Sequence, residues 1–493
     1  MTPTPLLRDS GVEMLADPSR VIAKLHLPGE GHSRTRSRTV DIVNRVLGMT
    51  PEALAANARR IVDDFGSRHA DFGDVLAGHA ATVAFRSSDV DAAELTPDQT
   101  TVLGAAFTME YAVEGAALCN PSVVPHPDQT GLAPGELRVA VALRAIGDGH
   151  ISSIGFASAV VRPTGWTFEP RTLPLASARV TEGDWSRTHL REALEQEGRL
   201  NELSAAIVRV LPATFRSGQI EDAIHRLPVE LSQRRDLHGD IDTVRTMAWS
   251  AYHASFDDTT TLEQRVLLPF AAEESHGMED ARFVRFTTAD GDQEYRATYT
   301  AYDGRTIAPR LITSPDLQHF RIHRLSGPAA GNKGMAIFPR RIGADMFALT
   351  RTDGENISLA RSRDGLVWTD ESVVHGPAQL WEVVQTGNCG SPIETERGWL
   401  VPIHGVGPMR VYSIGMLLLD LDDPRRVIAR LDQPLLHPDG ALREGYVPNV
   451  VYSCGAIVHD GVLWLPFGVG DARIRVGSVP LDELLDAMTP SPS

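Results

Sequence analysis

Between residues 273 and 286 the chain reads EESHGMEDARFVRF, which puts His276, Glu279, Asp280 and Arg282 within seven positions. Two adjacent carboxyls beside a guanidinium can move a proton or hold a hydroxyl-rich ligand. The same polar density ahead of an apolar run also suits a hairpin surface. Other polar residues stand at the corners of apolar strands: Asn120, Arg144, Lys333, His404 and Asp471. Taken singly, each reads as a turn residue. As a set they are mostly charged, and they become a site if the strands that carry them converge.

The elements that would position them fall into a pattern. From about residue 118 short β-type runs are broken by Pro and Gly. After about 262 the chain is nearly all strand and turn. EYRATYTAYDGRTI, DMFALTRTDGENISLARSRDGLVW, GWLVPIHGVG and GVLWLPFGVGDARIRVGSV each lead an apolar strand into a polar corner. The recurrence, roughly 50 residues, is the length of a propeller blade. Units are expected near 118–165, 262–325, 333–378, 385–437 and 445–480. The expected fold is mainly β, a five-bladed β-propeller over 111–485 with a helical insertion at about 187–252. Residues 1–110 are expected to be a helical region packed on it, with Thr50 before Pro51 and Thr96 before Pro97 as helix starts.

Composition bounds the partners. At 493 residues, with 42% hydrophobic side chains and a formal net charge of −17, the chain has ample core and no general attraction for nucleic acid or anionic membranes. Cys119, Cys389 and Cys454 are odd in number and far apart. They suggest buried thiols in a reducing, cytoplasmic compartment, and no metal site. No apolar run reaches the ~20 residues of a membrane span. The basic run RTRSR at 34–38 reads as a solvated segment. P-loop, GxGxxG, HExxH and CxxC motifs are absent.

The stretch GMEDARFVRF followed by YRATYTAYDG resembles the signature of glycoside hydrolase family 130, Gly-x-Glu-Asp-Pro-Arg and then a Tyr-Thr-Ala strand. GNKGMAIFPRRI, GSPIETERGWLVPIHGVG, LLDLDDPRRVIARLDQPLLHP and YVPNVVYSCGAIVHDG resemble further segments of that family in the same order. The likeness covers about 118–165 and 262–485. It implies inverting cleavage of a β-mannosidic bond by inorganic phosphate, giving α-mannose 1-phosphate, with a small oligosaccharide as the other substrate. It implies Asp280 as the catalytic acid, with Lys333, His404, Tyr412 and Arg305 around phosphate. Asn120, Arg144, Glu279, Arg282 and Asp471 would line the mannose subsite. Glu279 reads equally as a structural partner of Arg282. No cofactor is implied, and a homo-oligomer is allowed.

Two departures bear on the site: the motif's Pro is Ala281, and the Asp expected after the lysine is Gly334. The loop GHISS, with His150, Ser152 and Ser153, suits either sugar hydrogen bonds or a capped turn. Two other readings stand beside the phosphorylase: a hydrolase on the same scaffold, and a carbohydrate-binding propeller without catalysis.

Overall fold

The computed structural model describes residues 6–28, 37–86, 90–228 and 238–491. Of the run at 34–38, residues 34–36 lie outside these. The chain divides into two compact units.

The smaller unit takes Asp17–Gly115 and Thr172–Ser177. Its helices Pro51–Phe65 and Pro97–Ala106 start as their caps predict. The Thr50 side chain accepts from the Ala53 N–H, and Thr96 forms a capping box with Gln99. Val43, Leu54, Val83, Leu103 and Phe107 are among the apolar side chains of its core. Gly104 lies against the Leu76 backbone, where a Cβ would sit 2.1 Å from a carbonyl oxygen. Only glycine lets Pro97–Ala106 approach the helix Phe72–Arg86, which carries Leu76, so closely.

The reading of 1–110 as helical is corrected in two places. Arg8–Leu15 and Val21–Leu25 are strands. Val21–Leu25 pairs with Thr108–Ala112 inside the smaller unit. Arg8–Leu15 belongs to the larger unit and pairs with Arg473–Pro480. These strands are short, and the longer helical patterns around them dominated the sequence signal.

The larger unit is mainly β and contains five antiparallel four-stranded meanders. The first runs through Ala117–Pro125, Leu137–Ile146, Ser152–Arg162 and Gly165–Phe168. The second runs through Gly277–Thr287, Gln293–Tyr302, Ile307–Ser314 and His319–Arg324. The third takes Ala336–Ile337, Met346–Thr350, Ile357–Ser362 and Thr369–His375. The fourth takes Gln385–Asn388, Gly398–Val406, Tyr412–Leu419 and Val427–Arg430. The fifth takes Val451–Tyr452, Val462–Val469 and Arg473–Pro480, and the N-terminal Arg8–Leu15 supplies its last strand. The meanders overlap the expected units, but the second starts at Gly277 where about 262 was expected, and the fifth takes a strand from outside its expected span. No sheet closes on itself among the described residues, so strand pairing alone does not make a ring.

Between 187 and 252 the described residues include the helices Arg187–Gln196, Glu202–Val210, Gln219–His225 and His238–Ala248 and the short strand Thr214–Arg216. Leu190, Leu194, Leu203, Ile207, Ile220 and Val244 give this insertion a core of its own. A chain of ion pairs, Glu197–Arg324–Glu273–Arg310, ties it to the second meander just ahead of Glu279 and Asp280. The three cysteines are buried free thiols. Among the described residues no helix is long and apolar enough to cross a membrane, and no cluster of metal-ligating side chains occurs.

Candidate active site

Two β-bulges build the centre of the site. The register slips between Cys119 and Ser122 in the first meander and between Glu279 and Arg282 in the second. Each bulge contains a left-handed residue, Asn120 at φ 51° and Asp280 at φ 55°. Asn and Asp tolerate that region better than most residues, and a bulge re-aims the side chain it carries. Here the two side chains meet, and Asn120 Nδ2 donates to Asp280 Oδ1 at 2.5 Å. Pro121 follows Asn120, whereas the buried Ala281 follows Asp280. Proline is therefore dispensable for this bulge. The Asp280 carbonyl is held instead by Arg282 Nη1 at 2.8 Å.

Arg144 spans both carboxylates. Its Nη2 donates to Glu279 Oε1 at 2.6 Å, its Nη1 to Asp280 Oδ1 at 3.1 Å and its Nε to Ser152 Oγ at 2.9 Å. Arg282 is buried. It donates from Nε to Asn388 Oδ1 at 3.0 Å and from Nη2 to the Tyr452 hydroxyl at 2.9 Å. Asn388 in turn donates to the Gly334 carbonyl. The first strands of all five meanders, or the residues leading into them, thus touch at one place: Asn120, Asp280, Gly334, Asn388 and Tyr452.

The electrostatics separate the three carboxyls. Burial pushes Asp280 upward, but Arg144, then Arg282, the Asn120 hydrogen bond and Lys333 outweigh it and hold Asp280 below the usual carboxylate range. Burial raises Glu279 despite Arg144, and the neighbouring Asp280 charge adds to the rise. Burial pushes Asp471 up to about 6, with Arg144 opposing and the Asp280 charge assisting. Asp471 also sits at a left-handed position, φ 53°, in the turn between two strands of the fifth meander.

Beside the carboxylates lies a second group. His404 is buried, its Nδ1 3.3 Å from the Asn388 carbonyl and its Nε2 3.3 Å from Arg351 Nη1. Burial, reinforced by the charges of Arg351 and Arg282, keeps it neutral. Its ring stacks on Tyr412, with centroids 6.0 Å apart, and Tyr452 stands 4.9 Å away. Arg351 is only 8% exposed, its Nε is buried without a hydrogen-bond partner, and it forms no ion pair among the described residues. Lys333 is exposed and close enough for its charge to lower both Glu279 and Asp280.

The structure thus gathers Asn120, Arg144, Glu279, Asp280, Arg282, Lys333, His404 and Tyr412, and Asp471 is felt electrostatically by Arg144. Arg305 stands apart on the exposed turn after Tyr302, where its backbone N–H bonds the Asp303 side chain. His276 is exposed, its ring edge-on to Tyr302 and against Gly304. Four members escaped the sequence reading: Ser152 as a partner of Arg144, and Arg351, Asn388 and Tyr452. Arg351 follows the strand Met346–Thr350 directly. It is a polar corner of the kind that singled out the others, passed over because Lys333 already represented that unit.

Asp471 yields a pH-dependent expectation. Its carboxyl is raised, so the folded protein holds this proton more tightly than the unfolded chain does. The resulting stabilisation is complete below the ordinary carboxylate range and is lost as pH rises through about 6. Asp471→Asn is therefore expected to raise Tm at pH 8 and to give no gain at pH 4, by calorimetry. Equal shifts at both pH values would show that the carboxylate is not desolvated.

The family model described as β-1,4-mannooligosaccharide phosphorylase matches residues 255–490. The 1,2-β-oligomannan phosphorylase of Thermoanaerobacter sp. (strain X514) is 33% identical over 230 residues, covering 45% of this chain and 75% of that protein. The β-1,2-mannobiose phosphorylase of Listeria innocua is 31% identical over 231 residues, covering 45% of this chain and 63% of that one. A solved structure of the Listeria innocua β-1,2-mannobiose phosphorylase in complex with β-1,2-mannobiose aligns with TM-score 0.45 at 21% identity, over 76% of this chain and 92% of that one. With a third of the positions shared across three quarters of the Thermoanaerobacter relative, this chain belongs to glycoside hydrolase family 130 and is a glycoside phosphorylase.

Proposed function

We propose that the chain cleaves β-mannosides by inverting phosphorolysis, on meanders arranged as the five blades of a propeller, and releases α-mannose 1-phosphate. The observation that carries this reading is Arg351, buried beside a neutral His404 with no ion pair among the described residues, together with Lys333 within electrostatic reach of Asp280. A buried guanidinium with no ion-pair partner is costly unless an anion visits it. Phosphate suits it, because a guanidinium can hold two of its oxygens at once.

The sugar would sit between this group and the carboxylates. Phosphate attacks the anomeric carbon from the face opposite the leaving oxygen. The C1–O bond to phosphate forms as the C1–O bond to the aglycone breaks. Phosphate is already an anion, so no base is required. The leaving alkoxide needs a proton, and Asp280 supplies it, directly or through a mannose hydroxyl. Asp280 is ionised in the empty site because Arg144, Arg282 and Lys333 depress it. Phosphate beside Lys333 offsets part of that field and raises Asp280 toward its protonated form. The acid is thereby armed when its co-substrate is present. Asn120, Arg144, Glu279 and Asp471 hold mannose hydroxyls. The reaction needs no metal or organic cofactor.

One observation favours a second reading. Asp471, at about 6, is a carboxylate able to act as a base near neutral pH, as a hydrolase would need. Incubation with β-1,2- and β-1,4-mannobiose, with and without phosphate, separates the two. Phosphate-dependent formation of α-mannose 1-phosphate is expected. Mannose release at the same rate without phosphate would establish the hydrolase. Saturable binding with no turnover of either disaccharide would leave a carbohydrate-binding protein.

A further inference from the structure

We propose that His150 and Tyr446 form an aromatic platform that binds the aglycone sugar, the part of the substrate beyond the bond that breaks. This rests on the phosphorolysis reading and assigns the acceptor side of the same site. His150 lies in the tight turn between the second and third strands of the first meander, and Tyr446 lies in the loop ahead of the fifth. Their rings stack with centroids 5.9 Å apart at 26°, and His150 Nδ1 is 3.0 Å from the Tyr446 hydroxyl. The turn is costly to make. Gly149 and His150 are consecutive left-handed residues, at φ 68° and 58°. For histidine that conformation is uncommon and fixes the ring's direction.

Both residues are tied to the carboxylate cluster. His150 is two positions from Ser152, whose hydroxyl takes the Arg144 Nε hydrogen bond. Tyr446 is anchored beside Asp471. The Val447 N–H donates to the Gly470 carbonyl at 2.8 Å, and Gly445 packs on Gly470 so closely that a Cβ would sit 2.5 Å from it. Yet Tyr446 remains 54% exposed. A large ring held rigidly at the edge of a polar site, with much of its surface in water, is suited to a ligand with one apolar face. The C–H face of a pyranose is such a surface. With His150 Nδ1 committed to the tyrosine, Nε2 is the atom that faces a sugar hydroxyl.

The test is reverse phosphorolysis from α-mannose 1-phosphate, with mannose and glucose as acceptors. Tyr446→Ala and His150→Ala are expected to raise the acceptor KM by about tenfold, the size of one stacking contact. The KM for α-mannose 1-phosphate should stay within about twofold of wild type on the same scale. Tyr446→Phe keeps the ring and should retain most of the acceptor affinity. An unchanged acceptor KM in Tyr446→Ala overturns the platform, as does an equal rise in both KM values. Saturation-transfer NMR with β-1,2-mannobiose supplies a readout independent of turnover. In the wild type the reducing-end sugar should receive saturation that Tyr446→Ala loses, and identical profiles would overturn the proposal. If the wild type makes no α-mannose 1-phosphate, the phosphorolysis reading fails, and the NMR comparison still decides the platform.

Discussion

Asp280→Asn is expected to lower kcat/KM for phosphorolysis of β-mannobiose by about 10³-fold, the middle of the range for removing a positioned acid. Asparagine keeps the size and one oxygen for Asn120 and Arg144, so the bulge should survive and Tm should move little. The loss should fall on kcat. An aryl β-mannoside whose leaving group is a stable phenolate needs no proton, so the same variant should cleave it at a rate near wild type. That contrast separates an acid from a merely structural carboxylate. Loss of both substrates together would place Asp280 in sugar binding, and a loss below about tenfold would remove it from the acid role.

The second large effect is expected at Arg351. Arg351→Met keeps an apolar stem and removes the charge. The KM for phosphate should rise by about 100-fold, the worth of a charge-assisted hydrogen bond to a bound anion. The same variant should melt at a higher temperature in phosphate-free buffer, because it no longer buries a cation that has no ion-pair partner. Activity and stability moving in opposite directions marks a group kept for its ligand. Adding phosphate should stabilise the wild type more than the variant, since a ligand stabilises only the state that binds it. An unchanged KM for phosphate would show that Arg351 serves His404 alone.

Much of the site was legible because its residues stand at strand corners, and a corner is visible wherever an apolar run ends in a polar or charged residue. Asn120, Asp280 and Asp471 were found in that way. Their shared left-handed backbone was not visible, because Asn and Asp only permit that conformation and the bulge or turn against the neighbouring strand imposes it. Arg351 and Asn388 were missed for a related reason. Each owes its place to a residue from another meander, His404 for one and Arg282 for the other, and such partnerships exist only after folding. The carboxyls were visible as types, but their different proton affinities were not, since burial and the reach of Arg144 decide them. In the fold, five units were readable from recurrence alone. The strand Arg8–Leu15 was not, since its partner lies almost a full chain length away.

That N-terminal strand also sets an order of events during synthesis. Its partner Arg473–Pro480 is made some 466 residues later, on the order of tens of seconds after the strand itself. Through that interval Arg8–Leu15 is an unpaired edge, open to wrong partners. The segment carries what such a wait calls for. Arg8, Asp9 and Glu13 charge it, and Gly11 in a left-handed turn interrupts its register between Asp9 and Glu13. Asp9 and Glu13 then find Arg475 and Arg473 once the last meander exists. The charges that keep the strand soluble while it waits are the ones that identify its partner on arrival.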